Sequence, residues 1–390
     1  MLVRVDLNRY KKQNMLAILK VKPNFEPVQE RMNKPARLSD VAAAAGVSKA
    51  TVSNVFNWPE RVRPDLRLHV EETARHLGYS GADPKGRLLS GGKANAIGIV
   101  PPGAFGIGIA FSHPYMRDFL TGVAEVCEDY GAAMHLVSGV GGKKARSIRN
   151  ALVDGFILNS LEEVELIEPA RRQKLPFVVI DADGGPQINS VRIDDRDGAR
   201  QAAQHLVDLG HRRFAILSVL RQSDSLPILH LPGGTRPRLD SGYPNDWERL
   251  AGVAEVLARI GISINDVPIV EVFGGSADTT TFGGAMAGAA LLFDNAPEAT
   301  AVIALGDTQD LAVLAEAKRR NIAVPRDLSV VGFDDPPQLA LADPPLTTVA
   351  QPTIEKGRVA ARIIFEGGPA RQVVLPVMLM IRNSTAPPRR

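Results

Sequence analysis

From Ala96 onward, short apolar runs recur that are too uniform for a half-exposed sheet. AIGIV at 96–100, GFILN at 155–159, FVVID from Phe177, RFAILSV from Arg213, AVIALGD from Ala301 and LSVVGFDD from Leu328 are largely aliphatic. A strand with apolar side chains on both faces must be covered on both, as in a parallel sheet between helical layers. Segments of helical period separate these runs at Tyr115–Tyr130, Gly198–Leu209, Trp247–Ile260 and Asp310–Arg320. AAMHLVSG from Ala132 adds another strand, and a last one is expected near Val373–Ile381. The alternation predicts an α/β body of parallel sheets faced by helices, wound twice. Two polar, glycine-rich stretches, 221–246 and 273–284, break the rhythm. They read as long loops that either overhang a ligand cleft or are plain surface excursions.

The stretch Ala36–Tyr79 follows other rules and predicts three short helices. Ser39 is placed to cap a helix over Asp40–Ala45, with Val41 and Ala44 facing inward. Gly46 supplies a turn that needs positive φ. Ser48 caps the next helix, Lys49 to about Phe56, on which Val52, Val55 and Phe56 share one side. Lys49, Ala50, Thr51, Ser53 and Asn54 fall on its other faces. Pro64 sits in the first turn of a third helix, where its missing N–H costs nothing, and Leu66, Val70, Ala74 and Leu77 form the inward stripe. This is the layout of a helix-turn-helix module, whose second helix carries side chains into the DNA major groove.

Charge is spread unevenly along the chain. Residues 1–35 hold eight Lys or Arg against three acids, and residues 36–93 hold nine against six, so the remainder of a chain of net +3 carries −5. Positive charge at the front suits phosphate contact, and an acidic body discourages indiscriminate DNA binding. Residues 1–35 read as a disordered tail, as sequence upstream of a start at Met32, or as a basic arm. The single cysteine, Cys127, excludes a disulfide framework and reads as a buried, inert thiol. No cluster has metal-ligand spacing, and neither GxSxG, a P-loop nor GxGxxG occurs, so no enzyme activity, metal or cofactor is expected. No run is long enough for a membrane span, and no export signal is legible. The reading is a cytoplasmic protein with no membrane partner.

The motifs taken together resemble the LacI family of bacterial transcriptional regulators. LSDVAAAAGVSKATVSNVFN at Leu38–Asn57 and ARHLGY ending at Tyr79 carry the resemblance at the front. VDGFIL from Val153, VRIDDRDGARQAAQHLVDLGHRRFAIL from Val191, ERLAGV from Glu248, LSVVGFDD from Leu328 and PPLTTVAQP from Pro344 follow in the family's order, so it spans about residues 36–385. The resemblance implies a helix-turn-helix domain at 36–80 and a hinge at 81–93. It implies a two-lobed body like the periplasmic sugar-binding proteins at 94–385, then a tail at 386–390. The first lobe would take about 94–192 and 351–372, and the second about 193–350 and 373–385.

Carried over by position, Lys49, Ala50 and Asn54 would read base edges. Lys49 suits guanine, Asn54 suits adenine, and Ala50 offers only a methyl group. The family usually has arginine at the Asn54 position, which puts the usual guanine contact in doubt and leaves a phosphate or water contact open. Ser48, Thr51, Ser53 and Asn57 would meet phosphates. Leu89, or Leu88 if the register slips, matches a leucine that wedges into the minor groove, although both can instead cover the body. Gly86 stands where a better helix former is usual.

In the body, Arg249 matches an arginine that clamps effector oxygens, and Asp334 an aspartate that bonds sugar hydroxyls. Asp307 either lines the cleft or caps the next helix, and Gly306 replaces a polar effector contact. Phe105, Ser112 and Tyr115 are the first-lobe candidates. The helix Pro114–Tyr130, with Phe119, Val123 and Val126, resembles the dimer-forming helix, although a core stripe would look the same. The resemblance implies a homodimer on double-stranded operator DNA. It would act as a repressor controlled by a small polar effector such as a sugar, sugar phosphate or nucleoside. The alternatives are a ligand-independent repressor with a degenerate pocket and a sugar-binding protein without a regulatory role.

Overall fold

The computed structural model describes residues 36–81, 93–101, 107–108, 111, 113–138, 144–159, 171–172, 174–182, 185–220, 227–233, 244–273 and 281–389. The chain divides into two compact units, one ending at Gly92 and one beginning at Lys93.

The first unit holds three helices, α1 (Leu38–Ala44), α2 (Lys49–Asn57) and α3 (Pro64–His76). Val41, Ala42, Ala45, Val52, Val55, Val70 and Ala74 form its core, with Phe56, Leu66 and Tyr79 packed against it. Gly46 takes φ +66° in the turn between α1 and α2, a conformation that favours glycine. Three local expectations need correction. Ser39 lies inside α1 rather than capping it, and the Arg37 N–H donates to Asp40 Oδ2 at 2.8 Å instead. Ala44 is exposed, because the inward face of α1 is set by Val41, Ala42 and Ala45. Leu77 is 41% exposed, since α3 has ended and the chain has begun to turn away.

In the second unit the chain runs through β1 (Ala96–Val100), α4 (Pro114–Asp129), β2 (Ala133–Leu136), α5 (Lys144–Asn150), β3 (Gly155–Asn159), β4 (Phe177–Ile180) and β5 (Asn189–Ile193). It then crosses to α6 (Asp195–Asp208), β6 (Phe214–Leu220), β7 (Ile228–His230), α7 (Pro244–Arg259), β8 (Ile269–Phe273), α8 (Thr281–Asn295), β9 (Ala301–Ala304), α9 (Asp307–Arg319), β10 (Ser329–Asp334), α10 (Pro337–Ala340) and β11 (Thr347–Ala350). The return is made by α11 (Thr353–Glu366), β12 (Gln372–Leu375) and β13 (Met378–Met380).

Two sheets result, in the order β12-β5-β4-β3-β1-β2 and β13-β11-β10-β9-β6-β8-β7. The first is wholly parallel, with Ile97 opposite both Met134 and Gly155. In the second, β7 and β13 are antiparallel edges. The single strand expected near 373–381 is two strands, because β12 pairs with β5 while β13 pairs with β11. The chain therefore passes between the sheets a third time, within three residues. The loop expected over 221–246 is likewise interrupted, by β7 and by the start of α7.

Each sheet is covered by helices that meet closely. Gly122 on α4 and Gly357 on α11 lie against the backbone carbonyls of Ile354 and Phe119 respectively, and a Cβ at either would collide. Phe119, Val123 and Val126 of α4 are spent inside this packing, at 2% exposure or less. They are a core stripe and cannot also be a dimer surface. Cys127 is buried there too, and burial pushes its thiol up to about 11, so it is unreactive. No helix among the described residues is long and apolar enough to cross a membrane.

Candidate functional site

Two groups of residues carry chemistry, one in each unit. In the first, the Ser48 hydroxyl accepts from the Thr51 N–H at 3.0 Å and lies 2.8 Å from the Thr51 hydroxyl, fixing where α2 begins. Val52 and Val55 anchor its inner face. The outer face then carries Lys49, Ala50, Asn54 and Asn57, all exposed, with Thr51 and Ser53 half-buried beside them. Asn57 Nδ2 donates to Ser53 Oγ at 3.1 Å, so these two candidates form one local pair. Trp58, 51% exposed, follows directly and is covered by the Arg61 guanidinium at 4.7 Å. An exposed indole at the end of this helix was not singled out in sequence. Leu88 and Leu89 lie outside the described residues.

In the second unit, the carboxyl ends of β4, β5, β9, β10 and β11 bring polar groups together. Arg249, on α7 and 5% exposed, donates from Nε to Asp195 Oδ1 at 2.7 Å and from Nη1 to the Leu305 carbonyl at 3.0 Å. Its Nη2 lies 3.1 Å from Asp334 Oδ1, and its guanidinium stacks 3.7 Å from the Phe333 ring centre. Three of its five N–H groups are thus occupied within the protein. Gln351 Nε2 donates to the same Asp334 oxygen at 2.6 Å, while its Oε1 accepts from Lys356 Nζ at 2.7 Å. Lys356 also donates to Asp181 Oδ1 at 2.7 Å, and the Tyr115 hydroxyl donates to Asp181 Oδ2 at 2.6 Å. One connected relay therefore runs from Tyr115 beside the first sheet to Asp195 beside the second.

Asp181 and Asp334 hold matching places at the ends of β4 and β10. Both adopt positive φ, +54° and +84°, uncommon for a residue with a Cβ and costing about 1–3 kcal/mol each. Their side chains keep 15% and 16% exposure, so they reach solvent while Lys356, at 1%, does not. Burial first, then the Asp181 charge, raises the Tyr115 hydroxyl well above its usual value, keeping it a donor. Burial pushes Asp195 up to about 7, against the opposing pull of Arg249. Arg249 rises above its ordinary value although burial alone would lower it, because Asp334, Asp195 and Asp246 surround it.

Of the residues expected here, the structure brings Tyr115, Arg249 and Asp334 into this relay. Asp307 opens α9, but its side chain lies outside the described residues, as do Phe105 and Ser112. Four members were not foreseen: Asp181, Asp195, Gln351 and Lys356. Asp181 could have been found from the tendency of open α/β folds to place binding groups at the carboxyl ends of strands, since it directly follows an apolar strand. Lys356 had no such signal, because a lone lysine in a helical pattern reads as a solvated face.

A description of bacterial regulatory proteins of the lacI family matches residues 37–81, and one of a periplasmic binding protein-like domain matches residues 203–385. An HTH-type transcriptional regulator of Mycobacterium tuberculosis is 33% identical over 366 residues, covering 90% of this chain and 97% of that protein. The HTH-type transcriptional regulator IpsA of Corynebacterium glutamicum is 32% identical over 345 residues, 86% of this chain and 92% of that one. Among solved structures, a CelR regulator–cellobiose complex is 28% identical, with a TM-score of 0.61 over 90% of this chain and 99% of that chain. With the helix-turn-helix face, the two linked sheets and this similarity along nearly the whole sequence, the chain belongs to the LacI family of bacterial transcriptional regulators.

Proposed function

We propose that the protein is a repressor that binds operator DNA as a homodimer and releases or tightens that grip when a small polyhydroxy effector enters the crevice between its two sheets. As a LacI-type regulator it binds DNA sequence-specifically and is not an enzyme. The carrying observation for the effector is the relay from Tyr115 through Asp181, Lys356, Gln351 and Asp334 to Arg249 and Asp195. It sits at the carboxyl ends of parallel strands, where open α/β folds bind ligands. It also joins the parts that must move relative to each other if a ligand is to alter the body. The similar CelR regulator forms a complex with cellobiose, which supports a sugar-like occupant.

In this reading Lys49, Ala50 and Asn54 meet base edges, while Ser48, Thr51, Ser53 and Asn57 position the helix on phosphates. Leu88 or Leu89 wedges into the minor groove. Arg249 and Asp334 bind effector hydroxyls with the valences the protein leaves open, and Tyr115, Phe105, Ser112 and Asp307 complete the contacts. Coupling between the sites is reciprocal and typically about 1–3 kcal/mol. The test is a DNA-binding titration on the chain's own promoter region with and without cellobiose, ribose and a panel of other free sugars. One of them is expected to shift operator affinity by about five- to 150-fold. An operator affinity indifferent to every small molecule that binds the body would make the protein a ligand-independent repressor.

A further inference from the structure

The charges of the crevice balance in a way that selects among polar ligands. Among the described residues two cations here, Arg249 and Lys356, are enclosed at 5% and 1% exposure. Four carboxylates act on them: Asp181 on Lys356, and Asp195, Asp334 and Asp246 on Arg249. Lys356 spends two of its three N–H bonds, on Asp181 and Gln351, and Arg249 spends three of five. Burial pushes Asp195 up to about 7, and even with that carboxyl protonated Asp181 and Asp334 still match Lys356 and Arg249 one for one, so no cation among these described residues is in surplus. The carboxylates that keep contact with solvent, Asp181 and Asp334, are acceptors.

We propose that Lys356 is a specificity-determining residue whose charge is consumed by Asp181, so that the crevice admits uncharged polyols and refuses phosphorylated or otherwise anionic ligands. This rests on the reading of the crevice as the effector site. A hydroxyl donates and accepts at once, and so fits a mixture of solvent-facing carboxylate oxygens and leftover N–H groups. The phosphate dianion that predominates above about pH 6 has no donor of its own, and it brings about two negative charges to a site whose enclosed cations are already paired. With no surplus cation among the described residues, it would lose its hydration to meet the Asp181 and Asp334 carboxylates. Lys356 is therefore present to neutralise Asp181 and to hold Gln351 toward Asp334, rather than to receive an anion.

The test uses the full chain and inorganic phosphate as the probe, read as thermal unfolding in sodium phosphate against sodium chloride of equal ionic strength. Wild-type protein and Lys356→Gln are expected to respond to phosphate alike. Asp181→Asn releases Lys356, and Asp334→Asn releases part of Arg249, so each is expected to bind phosphate about tenfold more tightly than wild type. Adding Lys356→Gln to Asp181→Asn should remove the gain. The head is common to all variants, so differences among them report the crevice. Phosphate stabilisation of the wild type that disappears in Lys356→Gln overturns the proposal, as does the absence of a gain in the folded Asn variants. If Asp181→Asn does not fold, Asp334→Asn carries the same test. If neither folds, a sugar that binds the wild type is compared with its phosphate ester, and tighter binding of the ester overturns the proposal. A ligand whose affinity is untouched by Arg249→Met would instead defeat the crevice reading, leaving the phosphate result standing as a statement about charge.

Discussion

The head and the crevice use polar side chains in opposite ways. On α2, Lys49, Ala50 and Asn54 stand in solvent on a helix held from behind by Val52 and Val55. In the crevice, Arg249, Asp195 and Lys356 are buried, and the two cations spend most of their hydrogen-bonding capacity on neighbouring groups of the protein. A face built to meet a large, highly charged partner keeps its donors hydrated until contact, because the partner's phosphates supply the compensation. A site for a small ligand must already be internally satisfied, since an unpaired buried charge costs far more than such a ligand returns. Removing a solvent-facing side chain such as Lys49 from the head should therefore cost recognition alone. Removal from the crevice should cost stability as well.

The largest expected effect follows from that contrast. Arg249→Ala leaves Asp195 and Asp334 without their cation and should destabilise the body by about 3–5 kcal/mol, as for other broken buried pairs. Ligand response should be lost with it, while the variant, where folded, keeps its DNA binding. Thermal unfolding followed together with operator binding checks both halves, and an unchanged melting point would break the comparison. Next is Lys49→Ala, which should relax discrimination at one base pair by about 1–3 kcal/mol and leave the melting point alone, as measured on a set of single-substituted operators. Ser48→Ala tests the middle ground. Losing the cap on α2 should cost about 0.5–2 kcal/mol of head stability and weaken binding to every sequence alike.

The smallest effect concerns pH. Asp195 titrates near 7 in the folded body and from an ordinary value of 3.8 when unfolded, so between those values the folded state binds more protons. Its contribution then makes the body more stable as pH falls from about 7 toward 3.8 and less stable as pH rises. Asp195→Asn should flatten the stability profile across that window. Glu316, on α9, has the opposite sign. Its hydrogen bonds from Arg319 and Arg320 hold it at about 2 against a usual 4.5, so its contribution is present above 4.5 and fades between 4.5 and 2. Denaturation midpoints taken from pH 2 to pH 8 separate the two.

Much of this was readable before folding. The apolar runs at 96–100, 155–159 and 301–304 became strands because continuous aliphatic character admits few other fates in a soluble chain. The turn at Gly46 and the cap at Ser48 were legible because they are local, each satisfied within a few residues. Asp334 was found because the resemblance matched it to an aspartate of the family. Asp181 holds the matching place at the end of β4 and was missed, because no motif pointed to it. Strand β7 hid in a polar stretch, and β12 and β13 were fused into one, because an edge strand is defined by its neighbour rather than by its own pattern.

What the sequence determined by itself was the alternation of elements, the helix-turn-helix head with its outward face, and the family. These depend on period, caps and turns, which act over distances the chain's own order encodes. Tertiary structure alone decided that Lys356 lies beside Asp181, 175 residues away, and that Gln351 joins Lys356 to Asp334. It also decided that two residues, Pro376 and Val377, carry the chain from one sheet to the other. A buried charge takes its meaning from its partners, and those partners are chosen by how the two sheets stand together.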